Sequence, residues 1–217
     1  MSSLNNLSYK LALKYDKRTY FEYYLSLIKT KHIFIFSFFY NKDYNSKIIK
    51  IDLFFMNFIM NYTINALFFN DETMHKIYID QGSFNFIYQL SQIIYSTLIS
   101  AGLSIPLELS ALSDISILEL SKIKRKSNLY QRINEIKRTI NIKIVLYFII
   151  SCIFLFCFWY YLSMFGAVYR NTQYHLIKDT MISFCLSLIY PFFIYLIPGI
   201  FRIPALSDSK NKKKILV

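Results

Sequence analysis

An all-α integral membrane protein is the fold class this sequence predicts. Three observations carry the prediction: long stretches without a formal charge, an apolar fraction above the soluble range, and a lopsided placement of cations. The chain has 217 residues, 55% of them apolar and 19% aromatic, with 4 glycines and 4 prolines. That composition excludes disorder and low-complexity repeats. Between Asp80 and Glu108 lie 27 uncharged residues, between Lys143 and Arg170 lie 26, and between Asp179 and Arg202 lie 22. A bilayer core of about 30 Å is crossed by about 20 helical residues, and irregular backbone facing lipid would leave its polar groups unpaired. Helix is therefore expected through each stretch.

In chain order, residues 1–47 are expected to form a cytoplasmic, interfacial segment. Tyr9 to Ile28 mixes Lys and Arg with Tyr and Leu, which suits an interfacial helix or, equally, a solvated helix packed on the cytoplasmic loop. The run His32 to Tyr40 is bracketed by Lys31 and Lys42 at less than half a spanning length, so it reads as interfacial or re-entrant. No signal peptide is expected, because Lys10, Lys14, Lys17, Arg18 and Lys29 interrupt any apolar leader. Residues 48–206 then form a membrane domain of four transmembrane helices near 48–69, 84–107, 144–166 and 180–201. In the first of these, Lys50 and Asp52 lie in the first turn, from which both can snorkel to the interface.

The connecting segment 108–143 reads as cytoplasmic. Leu112, Ile115, Leu118 and Ile123 recur on a rough helical period before a basic run at 122–126, as in an amphipathic helix laid on anionic lipid. In the third span, Phe158-Trp159-Tyr160-Tyr161 suits an aromatic belt at the headgroup level. In the fourth, Pro191 has no amide for the Ser187 carbonyl and predicts a kink, and Pro198-Gly199 and Pro204 loosen the exit. The basic tail 207–217 completes the chain. With both termini cytoplasmic, 22 of the 25 basic residues fall on the inner side, as the positive-inside rule requires.

Candidate sites are polar residues inside these spans. Asn57, Asn61 and Asn65 recur every four residues and line one helix face. Their expected service is interhelical hydrogen bonding to Gln89, Ser91, Gln92 or Ser96 on the second span, with a polar track for an ion or small solute as the alternative. No acidic or basic residue falls in the middle third of a span, which speaks against a proton relay. Asp71, Glu72, His75, Asp80, His175 and Asp179 are ligand-type residues near the outer loops, but their spacing matches no known cation motif, so solvated loop charge is expected. Asp179-Thr180 is expected to cap the last span. The glycosylation triplets at Asn6 and Asn61 fall in the cytoplasm and the bilayer, where neither is modified.

Other classes are excluded on the same footing. Cys152, Cys157 and Cys185 sit in apolar runs without the pairing of a disulfide framework or a zinc site. The net charge of +12 is split among segments between apolar spans, which is the membrane pattern and not a nucleic-acid footprint. No phosphate-binding loop, nucleophile elbow or paired-histidine motif occurs, so neither an enzyme nor a cofactor is expected.

Several strings carry a resemblance: YDKRTYFEYYLSLIKTKH (15–32), DYN (43–45), NYTINALFFNDETMHKIY (61–78), GSFNFIYQ (82–89), FWYYLSMFGAVYRNTQYHLIKD (158–179) and YPFFIYLIPGIFRIPAL (190–206). Together they resemble the C-terminal multi-pass membrane module of large surface membrane proteins of ciliates and other protists. The Lys, Asn, Ile, Tyr and Phe bias fits an AT-rich protist genome. The resemblance implies a membrane module and supplies no catalytic residues. In that family the module follows a long extracellular region rich in cysteine or repeats. Only Met1 to Ser8 precede it here, which suggests a truncated copy or a partial gene model. The expected function is a membrane anchor or scaffold module whose partners are the bilayer and other membrane helices or subunits. The runner-up is a channel or transporter subunit.

Overall fold

In the computed structural model, which describes residues 2–5, 7, 9–69, 71–79, 86–113, 117 and 129–215, the chain is a succession of helices with no strand among the described residues. They are α1 (Ser2–Asn5), α2 (Tyr9–Tyr15), α3 (Tyr20–Lys31), α4 (Ile33–Phe38), α5 (Lys47–Leu67), α6 (Asp71–Ile79), α7 (Phe86–Ala111), α8 (Leu129–Val168), a 3-10 turn at Arg170–Thr172, α9 (Gln173–Ile194) and α10 (Leu196–Ile215). The chain divides into two compact units, Tyr44–Ser187 and Met1–Asp43 with Leu188–Val217.

The first of these is built around α5. Its apolar residues Ile49, Leu53, Met56 and Met60 repeat at helical spacing and pack with Leu107, Ala111 and Tyr147. Farther along, Ala66 and Phe69 join Phe165 and Leu176. Cross-contacts fix the directions. α7 is antiparallel to α5, because Asn45 Oδ1 accepts the Ser113 amide at 2.8 Å while Phe68 stacks on Tyr95 at the other end. α8 is parallel to α5, because the Tyr147 hydroxyl donates to Asp52 and the Tyr161 hydroxyl donates to the Ala66 carbonyl. α9 is antiparallel again, with Phe184 edge-on to Phe54 and Phe58 and with Thr180 against Asn65.

Among the described residues, three helices are long and apolar enough to cross a membrane, over Leu90–Ala111, Tyr130–Val168 and Arg170–Leu206. α5, expected as a further span, is not among them. α5 is a helix of 21 residues, but Lys50, Asp52 and the three asparagines dilute its apolar character. It is also the most enclosed: ten of its residues are buried, whereas only 11% of the most apolar stretch of Tyr130–Val168 is buried. Leu98, Phe156, Trp159 and Met181 on these three helices are exposed, so large apolar side chains face outward as well as inward.

Several boundaries also differ from expectation. α8 begins at Leu129, so the end of the 108–143 segment is helix continuous with the third span. Of the amphipathic pattern proposed there, Leu112 follows α7, while Ile115, Leu118, Ile123 and the basic run lie outside the described residues. α8 ends beyond Gly166, whose carbonyl accepts from the Gln173 side chain at 2.9 Å. In the aromatic run, Trp159 and Tyr160 face outward while Phe158 and Tyr161 turn partly inward. α9 continues through Pro191, and the one non-helical residue before α10 is Tyr195, whose amide donates to the Pro191 carbonyl at 2.9 Å.

In the other unit, the single helix expected over Tyr9–Ile28 is two helices. Thr19 stops the chain with a capping box: its hydroxyl accepts from the Glu22 amide at 3.3 Å, and the Glu22 carboxylate accepts from the Thr19 amide at 2.8 Å. α3 runs antiparallel to the 188–196 stretch. The Tyr20 hydroxyl donates to the Leu196 carbonyl at 3.0 Å, the Tyr24 hydroxyl donates to the Phe192 carbonyl at 3.1 Å, and His32 Nε2 meets the Leu188 carbonyl at 2.7 Å. Every fourth carbonyl on one face thus meets a side chain. Gly199 allows this approach, since a Cβ there would lie 2.6 Å from the Tyr20 ring. The run His32–Tyr40 contains only the six-residue α4.

Candidate functional site

A group of buried polar side chains in the Tyr44–Ser187 unit forms a seam where α5, α7 and α9 meet. On α9, the buried residues Leu176, Asp179, Thr180, Ser183 and Phe184 share one helical face. α7 contributes Ser96, Ser100 and Ser104, all buried, with Thr97 partly buried, and α5 contributes Asn61 and Asn65. Asn61 Nδ2 donates to Ser100 Oγ and Asn65 Nδ2 donates to Thr180 Oγ1, each at 3.4 Å. Ser183 Oγ lies 3.3 Å from Ser96 Oγ and 3.4 Å from Thr97 Oγ1.

The seam has more acceptors than donors. The hydroxyls of Ser96, Thr97 and Ser100 donate back to carbonyls of their own helix, at 3.0, 2.7 and 2.7 Å. Each hydroxyl has a single proton, so those oxygens have only lone pairs left to offer the interior. Asn61 Oδ1, Asn65 Oδ1 and both carboxylate oxygens of Asp179 have no hydrogen-bond partner among the described residues. Asp179 is 1% exposed. A polar group buried in this way is costly unless something compensates it.

Asn61 and Asn65 therefore sit together as the four-residue spacing implies, with partners one helix or a few turns away from those expected. Asn57 is partly buried on the same helix, Ser91 is exposed, and Gln92 is partly buried with its Nε2 unpaired among the described residues. The Gln89 side chain lies outside the described residues. Pro191 belongs to the other unit and takes no part. Asp179 corrects the expectation of a helix cap: α9 starts at Gln173, which puts Asp179 well inside the helix and inside the Arg170–Leu206 span. A reading that ends each span at a charge misses an acid within one. The only available signal was the pairing of Asp179 with Thr180 and Ser183 at helical spacing.

Of the other residues considered for a cation near the outer loops, Asp71 and Glu72 are engaged elsewhere. The Tyr169 hydroxyl donates to Asp71 at 3.3 Å, and that carboxylate pushes the Tyr169 phenol above its ordinary pKa. Glu72 pairs with Lys76 at 3.0 Å, His75 is exposed, and Asp80 lies outside the described residues. No group of three or more His, Cys, Asp or Glu side chains gathers among the described residues.

A second buried acid lies in the unit formed by Met1–Asp43 and Leu188–Val217. Asp16 accepts from Arg18 Nε and Nη2 at 2.8 Å each and from Arg202 Nη2 at 3.0 Å. Both guanidinium groups lie over the Tyr23 ring, at 5.1 and 5.0 Å from its centre. Arg18 also donates to Asn5 Oδ1 at 2.7 Å, and Arg202 donates to the Leu4 carbonyl at 3.3 Å. Hydrogen bonding from Arg18 outweighs burial and holds the Asp16 carboxyl at about 2, below the ordinary 3.8.

No protein-family model matches this chain, and no curated protein or solved structure matches it.

Proposed function

We propose that this chain is a multi-pass membrane module that anchors and organises other components at a bilayer, and that α5 crosses the membrane in the company of the three self-sufficient helices. The observation that carries this is the shared length of α5 and α8, from the Asp52–Tyr147 contact to the Ala66–Tyr161 contact. That is about 20 Å at 1.5 Å per residue. A helix packed along crossing neighbours for that distance is sheltered from lipid, and its asparagines are paid for by partners instead of by hydropathy. Four crossings return both termini to one face, which gathers 22 of the 25 cations on the cytoplasmic side. On this reading the chain is the same kind of module as the protist surface-protein segments it resembles.

The test is cysteine-accessibility labelling of the full chain in sealed vesicles, after Cys152, Cys157 and Cys185 are replaced by Ala. Asp71→Cys should label from the outside, and Asn141→Cys from the cytoplasm. Labelling of both positions from one side would sink the four-crossing arrangement. A second reading, a cation-handling subunit, is favoured by the unpaired acceptors of the seam.

A further inference from the structure

Along the seam four oxygens, all on nearly fully buried side chains, have no donor among the described residues: Asn61 Oδ1, Asn65 Oδ1, whose amide contacts Thr180 next to Asp179, and the two Asp179 carboxylate oxygens. Most side-chain donors along the seam are committed, Gln92 Nε2 being an exception that is itself unpaired among the described residues. The Asn61 and Asn65 amides point to Ser100 and Thr180, and the hydroxyls of Ser96, Thr97 and Ser100 donate to their own helix. Ser183 has one proton to share between Ser96 and Thr97, whose own protons are used. Lys178 precedes Asp179 and projects about 100° around the helix from it. It gives Asp179 no hydrogen bond. What completes such a site is a positive charge that accepts several oxygen ligands and needs no acceptor of its own.

We propose that Asp179, with the side-chain oxygens of Asn65, Asn61, Thr180 and Ser183, binds a small dehydrated monovalent cation, with Na+ as its physiological representative. This deepens the cation-handling reading and rests on it. Oxygen-only chemistry selects a hard cation over a transition metal. One carboxylate neutralises one charge, whereas Ca2+ recruits several carboxylates and Mg2+ keeps a shell of water. Neighbouring helices supply the ligands: α9 brings the charge and two hydroxyls, and α5 brings two amide oxygens. Binding would therefore tighten α5 against α9 and couple the cation to the stability of the bundle.

The experiment follows thermal unfolding of the purified full chain in detergent, in sodium, lithium, potassium or choline chloride at one ionic strength. Binding to the folded state alone raises the unfolding midpoint in proportion to the logarithm of cation concentration once the site is saturated. Sodium should raise it over choline, and Asp179→Asn should abolish the difference while keeping the side-chain volume. Ser183→Ala should weaken the apparent sodium affinity about tenfold, equivalent to roughly 1.4 kcal/mol of binding free energy. Asp52→Asn should keep the full sodium response, because Asp52 is occupied by Tyr147 elsewhere on α5. Saturable binding of radiolabelled sodium that is lost in Asp179→Asn gives a readout independent of folding. Equal midpoints in all four salts, or an undiminished sodium response in Asp179→Asn, would overturn the proposal. The vesicle-labelling result stands apart from these outcomes, so failure of the cation site and failure of the membrane arrangement are told apart.

Discussion

Asp16 and Asp179 are two aspartates with nearly the same burial, 3% and 1% exposed, in opposite surroundings. Asp16 lies among donors, with two arginines on its oxygens and the aromatic face of Tyr23 beneath both guanidinium groups. Asp179 lies among acceptors, and neither of its oxygens is met by a described donor. Burial by itself therefore says little about what a carboxylate is for. The balance of donors and acceptors around it decides, because a saturated carboxylate fixes its neighbours in place while an unsaturated one retains affinity for a further positive charge.

The contrast is broken most directly by deletion. Asp16→Ala leaves two mostly buried guanidinium groups without their anion, so unfolding measurements on the reconstituted chain should show a loss of about 3–5 kcal/mol. Asp179→Asn should have the opposite sign in choline, where removing an uncompensated carboxylate leaves the fold at least as stable. Equal losses in the two variants would end the distinction.

Gly199→Ala tests the packing that surrounds the Asp16 cluster. A Cβ 2.6 Å from the Tyr20 ring must displace a side chain that anchors α3 to the Leu196 carbonyl. The expected cost is about 1–3 kcal/mol, as for other overpacked sites, and Tyr20→Ala in the same chain should recover part of it. Full recovery without any cost to the single Tyr20→Ala variant would show that the Tyr20 contact is dispensable.

Acid sharpens the comparison further. The carboxyl of Asp16 titrates at about 2 in the folded chain against an ordinary 3.8, so the folded state binds its proton less readily than the unfolded one. Its contribution to stability is present above about pH 4 and is lost as pH falls from there toward 2. Stability followed through this window should fall in the wild type and stay flatter in Asp16→Ala.

The smallest effect belongs to the seam's neutral members. Asn61→Leu removes the contact to Ser100 and should weaken helix association by roughly 0.6–2 kcal/mol, the usual scale of polar contacts in bundles. Cysteine crosslinking between α5 and α7 is a suitable measure. An effect several times larger would mean that Asn61 does more than hold two helices together.

Residue order alone decides the helical class, the three long apolar helices and the inward face of Asn61 and Asn65, because length, charge-free runs and a four-residue period are local properties. The capping box at Thr19 and Glu22 is also local, although a basic and aromatic stretch obscured the break it makes between α2 and α3. Tertiary structure decided the rest. α5 was legible as a helix, but its enclosure depends on neighbours along its whole length, and hydropathy summed over one segment contains no neighbours. The partners of the asparagines, Ser100 and Thr180, depend on the relative registers of α5, α7 and α9, which no single helix specifies. Asp16 and Arg202 are separated by 186 positions, and Arg202 looks from sequence like the end of a span. Asp179 looked like the beginning of one. A charge marks a boundary only while it faces water, and whether it faces water or the interior is settled by the helices that pack around it.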